Sequence, residues 1–211
     1  MKILKKVKLV NHPTIEHQLA IMRDKQTNST LFRSCLKCLS YFIAYEASKH
    51  LETRNVSVET PLQKTIAKKN RDKVILIPIL RAGLGMEEAF KEMLPFARIG
   101  HIGLFRQPRT KQPVKYYEKY PLTTKGGVVF LLDPMLASGH SAALALNLIK
   151  KQKPKSIKFC CIVSCPEGIE YVQKHHPDVE IYTAAIDKCL NKDCYIVPGL
   201  GDAGDRIFGT K

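Results

Sequence analysis

Residues Val128–Ile149 read VVFLLDPMLASGHSAALALNLI. The five apolar residues Val128 to Leu132 have the length and β-branched content of a strand. Apolar side chains at successive positions place that strand between two packed layers, as in a parallel α/β sheet. Asp133 ends the run. A turn of small hydroxyl residues and glycine follows, then a helix beginning near Ala142, so Ser138, Gly139 and Ser141 offer hydroxyls and backbone N–H groups at the positive end of a helix dipole. Taken alone, the segment fits either an anion cradle or an ordinary strand-to-helix turn with Ser as N-cap.

The flanking chain repeats the alternation. Val74–Leu80 (VILIPIL) is a second fully apolar strand, with a crossover helix over Met86–Met93. Ile99–Leu104, Ile157–Val163 and Val179–Ala184 read as further strands, and Ser141–Lys151 and Gly168–His175 as helices. Apolar residues spaced by three and four over Thr30–Leu51 describe an amphipathic helix. The polar, proline-interrupted stretch from Arg106 to Pro121 reads as a protruding arm. The order is that of an α/β fold with a mainly parallel twisted sheet flanked by helices. Ligands of such sheets bind beyond the carboxyl ends of the strands, where the loops Leu80–Gly85 and Asp133–Ser141 both fall.

The 211 residues suit one domain, residues 1–211, with no linker or composition shift dividing them. No 20-residue apolar span or secretory core is present: MKILKKVKLV is broken by Lys5, Lys6 and Lys8, and a cytoplasmic protein is expected. Seven cysteines form neither a disulfide framework nor paired metal knuckles, so reduced thiols are expected, with Cys160 and Cys161 in the core. Lys plus Arg exceed Asp plus Glu by 34 to 19, a net charge of +15. The basic residues are scattered in groups such as Lys2–Lys8, Lys64–Lys69 and Lys150–Lys158, without interleaved aromatics for base stacking. They read as a solvated surface rather than a nucleic-acid site, and the field favours encounter with polyanions.

Several motifs together carry a resemblance. The C-terminal segment Tyr195–Lys211, YIVPGLGDAGDRIFGTK, is similar to the terminal signature of the uracil phosphoribosyltransferases. PILRAGLGM at Pro78–Met86 resembles that family's pyrophosphate loop. DPMLASGHS at Asp133–Ser141 resembles the donor loop of the type I phosphoribosyltransferases. PEGI at Pro166–Ile169, HPDVEIYTAAID at His176–Asp187, His12–Pro13 and MRDK at Met22–Lys25 extend the likeness over the whole chain.

The resemblance implies a type I phosphoribosyltransferase-like sheet with a small hood built from the N- and C-terminal segments and an arm near 106–121. It implies transfer of phosphoribosyl from 5-phosphoribosyl 1-pyrophosphate (PRPP) to N1 of uracil, giving UMP and pyrophosphate. The donor site carried over comprises Arg81, Arg106, Asp133, Pro134, Met135, Leu136, Ala137, Ser138, Gly139, His140, Ser141 and Asp202. Arg81 is the pyrophosphate ligand, with Gly83 and Gly85 letting backbone approach the anion; Ser138, Gly139 and Ser141 hold phosphate, and Asp133 accepts from ribose hydroxyls. Uracil falls to the backbone around Ile196, Gly201, Asp202 and Ala203, where a mismatched base would strand buried polar groups. Arg81 and Asp202 are the catalytic candidates, Asp202 through charge stabilisation and positioning. The family also implies Mg2+ held mainly by PRPP and water, a homodimer or higher homo-oligomer, and in some members a GTP effector. No protein metal ligand is predicted.

Two positions depart from the pattern: the family's loop usually reads DPMLATGGS, and this chain has Ser138, which keeps the hydroxyl, and His140 in place of a glycine. A side chain at 140 costs about 1–2 kcal/mol if that position needs positive φ. The imidazole could crowd the phosphate or donate to it. His140 and the +15 charge leave a runner-up reading, a catalytically weak homologue serving as a nucleotide-sensing or RNA-binding regulator.

Overall fold

The computed structural model describes residues 6–107 and 112–210. The first lysines of the N-terminal basic group, the middle of the expected arm (108–111) and Lys211 of the C-terminal motif lie outside the described residues.

In chain order the elements are β1 (Val7–Leu9), α1 (Pro13–Arg23), α2 (Ser29–Ser48), β2 (Thr53–Glu59), β3 (Lys64–Asn70), β4 (Val74–Leu80), α3 (Leu84–Met93), β5 (Arg98–Ile99), β6 (His101–Arg106) and β7 (Pro113–Lys119). They continue with β8 (Val128–Leu132), β9 (Met135–Leu136), α4 (His140–Lys150), β10 (Ser156–Cys160), β11 (Val163–Ser164), α5 (Pro166–His175), β12 (Glu180–Thr183), β13 (Ala185–Ile186), β14 (Cys189–Leu190), β15 (Ile196–Val197) and α6 (Ala203–Phe208).

The main sheet runs β1-β12-β10-β8-β4-β6-β7, with β5 also paired to β4. Every pairing in it is parallel except β6 with β7. Side-chain alternation along the buried strands divides the core into two layers. Leu76, Phe130, Leu132, Cys160 and Tyr182 face α1, α2, α3 and α6. Ile75, Ile77, Val129, Leu131, Phe159 and Ile181 face α4 and α5. One charge enters the first layer: Lys158 on β10 is buried, donates to the Ala47 carbonyl at 2.6 Å, and lies over the rings of Phe130 and Tyr182. Cys160 and Cys161 are buried as expected, and burial pushes the Cys161 thiol up to about 12.

Beyond the carboxyl ends of β8, β10 and β12 the sheet breaks and resumes as a second parallel set, ordered β13-β11-β9. Pro134 sits at the break. Having no N–H, it cannot continue the ladder as a donor, and its carbonyl instead accepts from Ile162 and Val163 at 3.0 and 3.1 Å. The strand expected over Ile157–Val163 is therefore two. Likewise the strand expected over Ile99–Leu104 divides at Gly100 into β5 and β6.

Part of the expected arm belongs to the sheet: β7 pairs antiparallel with β6, with a register shift between Gly103 and Leu104. Several elements have no counterpart in the sequence reading. The β2–β3 hairpin is Lys-rich and mostly exposed, so it shows no apolar alternation. Helix α1 is short, capped by His12, whose ring accepts from the Thr14 N–H at 3.1 Å, and followed by Asp24. Helix α6 lies inside the C-terminal motif, to which the sequence reading assigns no helix.

His176, at the end of α5, is buried; that burial first, and the Lys150 charge second, hold its imidazole below the ordinary value of 6.5. The folded state thus resists a proton that the unfolded chain accepts, and stability is lost as pH falls below about 6.5. Between pH 7.5 and 5.5 the native chain should lose more melting temperature than His176→Phe; equal losses would contradict this assignment.

Candidate active site

A cleft of about 470 Å³ opens at the carboxyl edge of the sheet. It brings together three segments far apart in sequence: the loop after β4, the loop after β8, and the C-terminal segment from Asp193 to Gly204, with the end of β6 forming a further wall. Of the residues expected at the site, Arg81, Arg106, Asp133, Met135, Ala137, Ser141, Ile196, Gly201, Asp202 and Ala203 line it. Pro134 and Leu136 do not; both are buried in the sheet break behind it. The turn Ser138–Gly139–His140 is bounded on both sides by lining residues, Ala137 and Ser141.

That turn ends at the first residue of α4. Gly139 is the N-cap with φ +80°, a conformation that disfavours any side chain, and no side chain caps the helix. The first N–H groups of α4 therefore have no partner within the helix, and its first turn carries no acidic residue. The loop is held from behind by α5. A Cβ on Gly168 would meet the Ala137 carbonyl oxygen at 2.2 Å and that of Leu136 at 2.8 Å, so the glycine of the PEGI motif lets α5 seat directly on the loop backbone. His140 does not occupy the strained position: Lys153 and Cys194 are the non-glycine residues with positive φ among the described residues.

Arg81 follows the sheet's buried strand β4 and is more than half exposed, with the Phe208 ring 5.3 Å from its guanidinium and Asp205 3.9 Å away. The peptide bond Leu80–Arg81 is cis. The glycines after it serve packing rather than anion approach. A Cβ on Gly83 would strike the Leu132 carbonyl at 2.4 Å, and one on Gly85 would strike Leu36 at 2.4 Å, so their smallness lets the loop and α3 close on β8 and α2.

The C-terminal segment is fastened by two arginines. Arg23, at the end of α1, makes a two-pronged pair with Asp187 at 2.7 Å on each arm and also donates to the Gly199 carbonyl at 2.7 Å. Asp187 accepts from the Gly199 N–H at 2.8 Å, closing the network. Arg206 donates to the carbonyls of Met22, Leu200, Asp24 and Thr27 and lies over the Phe32 ring. The MRDK and AAID motifs thereby acquire a role: they hold the loop between β15 and α6. Sequence reasoning missed it because the partners are 164 residues apart. Asp202 caps α6, accepting from the Asp205 N–H at 2.9 Å.

Burial is the main cause raising the Asp133 carboxyl from 3.8 to about 7; the Met135 N–H and Arg106 oppose the shift, and Asp202 adds to it. The Asp202 charge thus reaches the Asp133 carboxyl and is opposed there by that of Arg106. The lining residues Phe105, Asp193, Cys194 and Tyr195 were not anticipated. Phe105 and Tyr195 stand beside motif residues Arg106 and Ile196, which was the available signal.

Comparison with known proteins identifies the arrangement. The family model described as uracil phosphoribosyltransferase matches residues 9–210. The uracil phosphoribosyltransferase of Ureaplasma urealyticum is 54% identical over 97% of this chain and 99% of its own length. That of Acholeplasma laidlawii is 49% identical over 98% and 99%. A solved structure of a protein from Aquifex aeolicus superposes with a TM-score of 0.93 at 33% identity, covering 97% of this chain and 99% of that one. The hypoxanthine phosphoribosyltransferase of Trypanosoma cruzi, at 12% identity, 75% coverage of each chain and a TM-score of 0.50, shares the fold alone.

Because Asp187 is buried and Arg23 partly so, Asp187→Asn should cost roughly 3 kcal/mol of stability. It should also speed hydrogen exchange at the Gly199 amide, whose acceptor it weakens. Unchanged exchange at Gly199 would show that the network does not hold the loop.

Proposed function

The chain belongs to the uracil phosphoribosyltransferase family, and we propose from that premise how its cleft carries out the transfer. The bond from C1′ of PRPP to the pyrophosphate oxygen breaks with its electron pair leaving on pyrophosphate, a bond from N1 of uracil to C1′ forms, and the N1 proton passes to solvent water, giving UMP and pyrophosphate. The observation that carries the assignment is the convergence of Arg81, Asp133, Ser141 and the Ile196–Ala203 segment on one cleft.

Each end of the donor meets its own anion site. The hydroxyls of Ser138 and Ser141 and the free N–H groups of α4 take the 5′-phosphate. Arg81, with Arg106 at the end of the neighbouring strand β6, takes the pyrophosphate through guanidinium forks. Asp133 accepts from the ribose hydroxyls. Uracil sits against backbone of Ile196 and Gly201–Ala203, where amides directed at its ring oxygens also stabilise charge as N1 is deprotonated. Asp202 stabilises the positive charge that develops at C1′.

Among the described residues no group of three or more His, Cys, Asp or Glu could hold a metal ion unaided. Asp133 and Asp202 both line the cleft and would hold, through water, a Mg2+ arriving on PRPP oxygens, which would supply charge neutralisation on the leaving pyrophosphate. The described residues read as one domain, with the C-terminal segment tied to α1 beside the cleft by Arg23 and Arg206. No helix among the described residues is long and apolar enough to cross a membrane. The exposed Leu62 and Ile66 of the β2–β3 hairpin, 94% and 67% accessible, support assembly into a homodimer or higher homo-oligomer.

UMP should form from uracil and PRPP with Mg2+, and Arg81→Ala should lower kcat/KM for PRPP by roughly 100-fold. Failure of the native chain to form UMP would overturn the assignment. Asp133 accepts hydrogen bonds without competition only when ionised, so kcat/KM for PRPP should rise with pH through about 7. Asp133→Asn should be slower and lack that step. The raised carboxyl also means that stability contributed at low pH is lost as pH climbs from 3.8 to about 7. The Asn variant should therefore melt above the native chain at pH 8, with the gap closing toward pH 4.

A further inference from the structure

His140 opens α4, and its Nδ1 lies 2.9 Å from the Ser138 Oγ. Its ring packs on Tyr171 with centroids 4.3 Å apart, and Tyr171 packs on His175 at the same separation. His175 in turn fixes its own ring, because its Nδ1 lies 2.8 Å from the Tyr171 carbonyl, which can only accept. A column of three rings on α4 and α5 therefore ends on the hydroxyl of the donor loop. Tyr171 also touches the loop backbone: a Cβ on Gly139 would meet its Cβ at 3.0 Å.

We propose that His140 is a positioning residue, held by Tyr171, that donates from Nδ1–H to Ser138 Oγ and so leaves the serine proton free to point at the donor's 5′-phosphate. The inference rests on the reading of this loop as the phosphate site. A serine hydroxyl has one proton and two acceptor lone pairs. If Nδ1 accepts that proton, none remains for the phosphate; if Nδ1–H donates to the oxygen, the proton is available. A phosphate oxygen, being anionic, is the stronger acceptor, so ligand binding selects the donating tautomer. Serine has no β-methyl to restrict χ1, as threonine does, and the imidazole supplies the missing restraint. With ordinary helical backbone at 140, the ring exacts no backbone strain for this contact.

The test is a set of variants at 138 and 140, read by equilibrium binding of ribose 5-phosphate and by steady-state kinetics. His140→Ala should weaken ribose 5-phosphate binding and raise KM for PRPP by about fivefold, with kcat and KM for uracil changed less than twofold. His140→Asn, which can present an amide N–H at the same place, should recover most of the loss. Ser138→Thr should also rescue His140→Ala, and His140→Ala should cost nothing further in a Ser138→Ala background. An undiminished affinity in His140→Ala, or the same penalty with Ser138→Ala as without it, would overturn the relay. The coupling without UMP formation would overturn the proposed reaction and uphold the relay. Normal UMP formation without the coupling would do the reverse, and no binding of ribose 5-phosphate by the native chain would overturn both.

Discussion

A parallel sheet buried on both faces leaves polar chemistry little room except its ends, and everything else in this protein follows from that constraint. β4 and β8 are apolar at every position because helices cover both sides. Inside the sheet a charge must find compensation as Lys158 does, with a carbonyl and two aromatic faces. At the carboxyl edge the ladder breaks at Pro134, and there Asp133, Arg81 and Arg106 reach a common space. The same burial that builds the core raises the Asp133 carboxyl, tying a property of the site to the sheet that carries it.

The C-terminal side of the cleft is built differently. The chain from Asp193 to Gly204 contributes little regular structure, only the two-residue strand β15 and the start of the short helix α6. Its shape is imposed by Arg23 and Arg206, which satisfy its carbonyls and join it to α1 and α2. Backbone recognition of a planar base needs amides and carbonyls fixed in place, and long-range guanidinium bonds achieve this without a strand or helix of their own. Behind the loop after β9, Gly168 and Tyr171 of α5 perform the corresponding service.

Legibility in the sequence followed the locality of the causes. The strands Val74–Leu80 and Val128–Leu132 were readable to the residue because burial on both faces writes a continuous apolar run. The breaks at Gly100 and after Cys160 were not, since each depends on hydrogen bonds to a neighbouring strand, Gly100 to Leu76 and Ile162 to Pro134. The β2–β3 hairpin left no trace because neither of its faces is covered within this chain. At the site, the motif residues Arg81, Asp133, Ser141 and Asp202 do share one cleft. Pro134 and Leu136 belong to the sheet break instead, and Gly83 and Gly85 to packing. The roles of Arg23 and Asp187 needed three dimensions, and so did that of His140, whose ring finds Tyr171 31 residues away.

The central claim is that three separate segments form one site for one nucleotide, and a crystal structure of the chain with UMP bound tests it most directly. The account predicts the phosphate on Ser138–Ser141 at the start of α4, the ribose hydroxyls on Asp133, and the uracil ring edge on backbone between Ile196 and Ala203. A uracil ring bound away from that segment, or a phosphate held by Arg81 instead of the α4 loop, would contradict it.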